Sequence, residues 1–362
     1  MLLSYYILSV LLITVNILPI INHQHWMFRV WEFGRIQIVI SQIIILTLGI
    51  LFIEDKRLLF WGTVLMTGGL IINNIIILIP YTIVYKRNKT KNIPKHSSPI
   101  SIISANVYQF NERYEELIKL VREVQPDILL TIESNQAWEE AMSEIEEEYT
   151  YSKKVALENT YGIHLYSKLS IKTVEVNYFI KEDLPSIEAT LISENGLSFT
   201  FFGVHPPPPS PTEEDNSKER DGELLSIGKK VKETKGPVIV VGDFNNVAWA
   251  KSSILFRKTS ELIDPRIGRG FVSTYHAKYK LFRFPIDLFF HSSDIFIEEF
   301  KTLRNIGSDH LPLFCKFFIN QKEVEQEKEV VELEKGEEEK VDEMIKDGVD
   351  EKSDRPKIAT ED

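Results

Sequence analysis

Cysteine is almost absent. The 362 residues include one, Cys315, within the mostly apolar run Leu313–Ile319. A lone thiol forms neither an internal disulfide nor a thiolate metal cage, so Cys315 is expected as a small buried apolar residue. Excess positive charge is absent too. The chain carries 42 Lys and Arg against 53 Asp and Glu, a formal net charge of −11. The segment Gln321–Asp362 holds 17 acidic and 8 basic side chains and so accounts for −9 of it. The rest is close to neutral, which excludes a global basic field for nucleic acid while leaving room for a local groove. No internal repeat is found. The apolar N-terminal stretches carry no Asp, Glu, Lys, Arg or His mid-span, which argues against a transporter's ion path.

What is present divides the chain. Three apolar stretches, Leu2–Ile21, Ile36–Ile53 and Leu58–Tyr81, are each near the ~20 residues that cross a bilayer core as a helix. The first has no basic leader and no small-x-small cleavage site, so a cleaved signal peptide fits poorly. Ser41, Gln42, Asn73 and Asn74 are suited to hydrogen bonds between spans. Basic residues are concentrated at Arg29 and Arg35 and, after the third stretch, at Lys86, Arg87, Lys89, Lys91 and Lys95. With three spans these flanks share a side, and the positive-inside rule makes that side cytoplasmic. The expected organisation is an anchor over 1–85, a basic linker over 86–97, a folded domain over 98–319 and an acidic low-complexity tail over 320–362. The tail is expected to be solvated and largely disordered, with a charged helix possible over Glu323–Met344.

In the middle region, Ile100–Val107, Ile128–Ile132, Gly162–Tyr166, Ile187–Ile192, Ser198–Val204, Val238–Val241, Ile286–Phe290 and Leu313–Ile319 read as strands. Glu112–Val124, Trp138–Glu148 and Leu224–Lys235 read as helices. This alternation implies an α/β sandwich of two packed sheets flanked by helices.

Polar residues cluster where these strands end. Asn106 closes the first strand, Glu133 follows Ile132, and His205 follows Val204. Asp243 and Asn245 lie in Gly-Asp-Phe-Asn after Val241. Asp287 follows Ile286, and Asp309 and His310 lie in Gly-Ser-Asp-His. A strand end holds a side chain accurately at a sheet edge. Hard oxygen ligands such as Glu133 suit Mg²⁺ or Mn²⁺, and histidines and amides suit a phosphoryl group under in-line attack. Singly, each residue has a plainer structural role. Asp243 and Asn245 could build a turn, Asp309 could cap one, His205 could be a satisfied loop histidine, and Glu133 could stand near a helix N-terminus. The ordered set is harder to explain that way.

The set resembles the endonuclease/exonuclease/phosphatase superfamily, over nearly all of Ile100–Ile319. The run His205-Pro-Pro-Pro-Pro209, with Arg220 beyond it, is similar to a bacterial membrane-anchored branch. The resemblance implies a DNase I-like four-layer α/β sandwich preceded by a bundle of three transmembrane helices. It implies Glu133 as the principal ligand of Mg²⁺ (or Mn²⁺), with Asn106 beside it and Asp309 completing the shell. It gives Asp243 the attacking water and Asn245 its positioning. His310 would meet the scissile phosphate, oriented by Asp287, and His205 would donate to a phosphate oxygen. The activity implied is phosphodiester or phosphomonoester hydrolysis at a bacterial inner or plasma membrane, on nucleic acid, a phospholipid headgroup or another phosphoester. No protein partner is inferable. The alternative is a non-catalytic membrane scaffold with a degenerate hydrolase domain.

Arg266, Lys278, Lys280 and Arg283, with Arg269, interleave with Tyr275, His276, Tyr279 and Phe282. They form either a substrate-facing loop or a solvated loop with aromatic anchors. Pro206–Pro209 is expected as a stiff, extended wall of the cleft, and Trp249 as packing.

Overall fold

The computed structural model describes residues 2–85, 98–320, 325–353 and 355. The basic segment 86–97 lies outside the described residues. Helices α1 (Leu2–Ile17), α3 (Arg35–Phe52) and α4 (Leu58–Leu78) are long and apolar, and with their short extensions they are apolar enough to cross a membrane. Gln42 and Asn74 bridge helices as expected. Gln42 Oε1 accepts from Asn16 Nδ2 at 3.1 Å, and Asn74 Oδ1 accepts from Arg35 Nη1 at 2.7 Å. A short helix, α2 (Trp26–Phe33), interrupts the first connection.

Beyond the anchor the elements are β1 (Ile100–Asn106), α5 (Tyr114–Val124), β2 (Ile128–Ile132), α6 (Gln136–Met142), β3 (Tyr151–Val155), β4 (Ile163–Ser167), β5 (Ser170–Asn177), β6 (Ser186–Ile192) and β7 (Ser198–Val204). They continue as α7 (Lys218–Glu233), β8 (Val238–Asp243), α8 (Lys251–Ser260), β9 (Asp287–His291), β10 (Ile295–Thr302), β11 (Leu313–Ile319) and α9 (Glu337–Asp350). Two sheets form, ordered β10-β11-β1-β2-β4-β3 and β5-β6-β7-β8-β9. Each has one parallel pair at its centre, β1/β2 and β7/β8.

Strand periodicity explains the layers, because alternate side chains leave opposite faces. Ile128, Leu130 and Ile132 meet Phe201, Ile239 and Val241 between the sheets. Leu129 and Ile103 turn outward onto Leu117, Val121 and Trp138. Val238 and Val240 turn outward onto Leu224, Ile227 and Phe256. With both faces covered, the central strands read as continuous apolar runs. Cys315 is buried between the sheets, as expected.

The tail departs from expectation. Helix α9 is shorter than the charged run suggested, and it docks on the domain. Val341 is buried, and with Met344 and Ile345 it packs on Leu225 and Leu255. Those three residues share a helical face, so the run is amphipathic. Gly348 lets α9 approach α7 closely, since a Cβ there would lie 2.7 Å from the Lys218 carbonyl oxygen.

Candidate active site

The sheet registers bring the polar strand ends to one edge. Asn106 pairs with Ile132 across β1/β2, so Glu133 is the next residue beside it. Val204 pairs with Gly242 across β7/β8, which aligns His205 with Asp243, and Asp243 itself pairs with Asp287. The backbone must be bare at Gly242, because a Cβ there would lie 1.9 Å from the Val204 carbonyl oxygen. Glu133 and Asn245 take left-handed backbone conformations, with φ of 61° and 48°. Such conformations in non-glycine residues are concentrated at functional sites.

The side chains interlock. Asn106 Nδ2 donates to Glu133 Oε1 at 2.7 Å and to Asp243 Oδ2 at 3.0 Å. The Gln109 N–H reaches Glu133 Oε2 at 3.3 Å, and the Asn245 N–H reaches Asp243 Oδ1 at 2.8 Å. His310 Nδ1 lies 2.8 Å from Asp287 Oδ2, while its Nε2 faces Asp243 Oδ2 at 3.6 Å. His205 Nε2 lies 4.0 Å from the same Asp243 oxygen. Asn245 Nδ2 donates to the Pro206 carbonyl at 2.9 Å, tying the proline wall to the turn. Asp309 lines the same cleft, which encloses about 530 Å³. Glu133, His205, Asp243, Asn245, Asp309 and His310 therefore line one cleft, with Asn106 and Asp287 hydrogen-bonded just behind them. Ligand atoms of Glu133, His205 and Asp243 lie within 4.8 Å of one another, as do those of Asp243, Asp287 and His310. Asp309 belongs to neither close group.

Burial sets the protonation pattern. It pushes Glu133 up to about 7, against the Asn106 hydrogen bond and the charge of His310. It pushes Asp243 up as well, to about 7, against the pull of His310 and with the repulsion of Asp287. For His205 burial acts in the other direction, joined by the His310 charge, and lowers it to about 3, so its ring is neutral. Burial also opposes charge on His310, but Asp287, Asp243 and Asp309 outweigh it and raise this histidine to about 10. One edge thus holds a neutral and a cationic imidazole, set apart by their carboxylate neighbours.

Residues not assigned from sequence support the set. Ser308 Oγ donates to the Asn106 carbonyl at 2.8 Å and accepts from the His310 N–H at 3.0 Å. Arg220 is buried on Asp221 and donates to the Asn245 carbonyl at 3.1 Å. Arg266, buried on Asp264, donates to the Asp287 carbonyl at 3.2 Å. Arg269 and Arg283 likewise donate to carbonyls of Pro265, Ile297, His276 and Ala277. The arginines of the basic loop are therefore internal braces, and exposed charge there comes from Lys278 and Lys280. Trp249 packs against Tyr81 and donates to the Glu32 carbonyl at 2.8 Å. Arg355, from the tail, reaches Glu214 at 2.8 Å, Glu219 at 2.5 Å and Asp183 at 3.1 Å, and lies over the Tyr161 ring.

Residues 103–310 match the model of the Endonuclease/Exonuclease/phosphatase family. That span is more than half of the chain, and the protein belongs to this family, whose enzymes hydrolyse phosphoester bonds with divalent metal. No curated protein sequence matches. Among solved structures, D. rerio TDP2 in complex with a single-strand DNA product has a TM-score of 0.52 at 18% identity, covering 61% of this chain and 99% of that one. Truncated Caenorhabditis elegans TDP2 gives 0.50 at 16%, covering 61% and 97%. An endonuclease/exonuclease/phosphatase from Bacteroides vulgatus gives 0.50 at 15%, covering 62% and 100%. These likenesses carry the DNase I-like fold.

Proposed function

We propose that the protein is a membrane-anchored, divalent-metal-dependent phosphoesterase that hydrolyses its substrate by in-line attack of water. The observation that carries this reading is the convergence of Glu133, His205 and Asp243 with the His310–Asp287 pair in one cleft. The donor set fits a hard cation, because its ligand atoms are carboxylate and amide oxygens. His205 Nδ1 is buried without a hydrogen-bond partner among the described residues, so the site has unused polar capacity. Glu133 would hold Mg²⁺ or Mn²⁺, with the Asn106 amide and Asp309 completing the shell. Such an ion neutralises phosphate oxygens and acidifies bound water.

The chain's own residues do the rest. Asp243, poised near neutrality, orients the attacking water and accepts its proton. Asn245, fixed by Pro206 and Arg220, positions that water or the phosphate. His310 stays cationic on Asp287 and stabilises charge gathering on the phosphoryl oxygens. His205, neutral, donates one N–H to a phosphate oxygen. No covalent enzyme intermediate is needed.

The anchor reading rests on the three apolar helices. The domain touches the loop side of α2 and the end of α4 through Trp249 and Tyr81, as an odd number of spans requires. The excess of Lys and Arg on that side supports a cytoplasmic domain at an inner or plasma membrane. The full chain, purified in detergent, is expected to hydrolyse bis-p-nitrophenyl phosphate with Mg²⁺ or Mn²⁺ and to stop with a chelator. Turnover unaffected by chelation, or none across a broad phosphoester panel, would sink this reading.

A further inference from the structure

One wall of the cleft lies outside the catalytic fold. Trp26, Arg29, Val30 and Phe33 of α2 line the same space as Asp243 and His310. Through Gly34 this wall passes directly into α3, a membrane-crossing helix by length and composition. Helix α2 is keyed to the domain. The Trp26 N–H donates to the Asp215 carbonyl at 3.0 Å, and the Ser217 N–H donates to the Gln24 carbonyl at 2.8 Å.

A second junction stands beside it. Gln37, in the first turn of α3, donates to the Leu281 carbonyl at 2.6 Å. Leu281 is 82% exposed and Phe282 59%, with Lys278 and Lys280 just before them. Apolar side chains set among lysines at the end of an apolar helix match a headgroup–acyl boundary. Phe110, 67% exposed, adds an apolar face to the cleft itself. Arg29 supplies the polar counterpart. It is buried, it lines the cleft, and its Nε and Nη1 find no hydrogen-bond partner among the described residues. A buried guanidinium left this way marks a place for an anion.

We propose that the substrate is a membrane lipid phosphoester, its phosphate entering at Asp243 and His310 and its apolar chain lying along Trp26, Val30, Phe33 and Phe110. The proposal rests on the phosphoesterase reading above. A nucleic-acid strand would ask for a cationic track, whereas Arg266, Arg269 and Arg283 are engaged internally. For a lipid phosphodiester, the oxygen of water forms a new P–O bond as one ester P–O bond breaks. The bonding pair leaves on the alkoxide, which takes up a proton equivalent to the one the water released. The products are an alcohol and a phosphomonoester.

The test compares two esters with the same leaving group, p-nitrophenyl methyl phosphate and p-nitrophenyl dodecyl phosphate, on the full chain in detergent micelles with Mn²⁺. A single-stranded oligonucleotide is assayed alongside. The dodecyl ester is expected to show a kcat/KM about a hundredfold higher, because its chain shares the micelle with the anchor and is held along the apolar wall, while the methyl ester stays in water. In the double variant Val30→Asp/Phe110→Asp, with anchor and micelle unchanged, the dodecyl-to-methyl ratio is expected to fall at least about tenfold. A ratio near one in the wild type, a ratio unmoved by the double variant, or faster cleavage of the oligonucleotide would overturn the lipid proposal. Metal-dependent turnover of the methyl ester would leave the hydrolase reading standing in each of those cases. Failure on both esters would remove both readings together.

Discussion

Replacing Asp287 by Asn tests how the site holds a charged histidine. The Asp287 carboxylate accepts from His310 at 2.8 Å in a buried pair, and the amide that replaces it has similar shape and no charge. A hydrogen bond to a charged group contributes about 1.5–3 kcal/mol. At ~1.4 kcal/mol per pKa unit, His310 should fall from about 10 by about one to two units. If its charge stabilises the transition state, kcat/KM should change little at about pH 7, where the ring stays protonated in both proteins, and should fall about 5- to 50-fold near pH 10. The sign in wild type is set by a raised folded pKa. The stability contributed by the imidazolium is fully present below its ordinary value near 6.5, and is lost as pH rises through about 10. The alkaline limb of the pH–rate profile should therefore move to lower pH in Asp287→Asn. The assay is bis-p-nitrophenyl phosphate turnover across pH by the full chain in detergent, with circular dichroism to verify folding. A folded variant with wild-type rate and an unmoved alkaline limb would refute the reasoning.

Three further outcomes follow from the same geometry. Glu133 stands near 7, so cation binding below that pH must displace its proton. Mn²⁺ affinity should climb by about tenfold per unit as pH rises to about 7 and then level. A flat affinity, read from the paramagnetic resonance of free Mn²⁺, would count against Glu133 as the ligand. Arg355→Ala leaves Glu214 and Glu219 buried without their guanidinium and should cost about 3–5 kcal/mol, read as a lower thermal midpoint. An unchanged midpoint would mean that the tail does not brace the cleft. Gly242→Ala drives a Cβ into the Val204 carbonyl and should cost about 3 kcal/mol or more, with loss of turnover; a wild-type midpoint would contradict the close approach of β7 and β8.

The central strands were legible because both faces are buried, which leaves apolar runs such as Val238–Val241 in the sequence. Strands β3, β5 and β10 were missed. Tyr151–Val155 and Ser170–Asn177 expose much of their length, and Ile295–Thr302 carries Glu298 and Glu299 at a bulge, so the apolar period breaks. The site residues stood out because they are polar groups bounding such runs, with Glu133, His205 and Asp243 at their ends and Asp287, Asp309 and His310 ahead of the next ones, and the fold then places them together. Their supports were hidden for a different reason. Arg220 and Arg266 act through backbone carbonyls 25 and 21 residues away, and no local pattern announces such a contact. Helix α2 was hidden because its 8 residues resemble a loop between spans until the domain covers them. In the tail, a few apolar residues at helical spacing lay inside a run dominated by Glu and Lys, where composition suggested solvation.

The most direct measurement is turnover of bis-p-nitrophenyl phosphate by the detergent-purified full chain during a Mn²⁺ titration, for wild type, Glu133→Gln and Asp243→Asn. The expected result is saturable, chelator-reversible turnover in wild type. Glu133→Gln should need far more Mn²⁺ to reach any rate. Asp243→Asn should lose about a hundredfold or more while remaining folded. Wild-type turnover that ignores Mn²⁺ and chelator, or that survives both substitutions, would contradict the assignment of this cleft as a metal-dependent phosphoesterase centre.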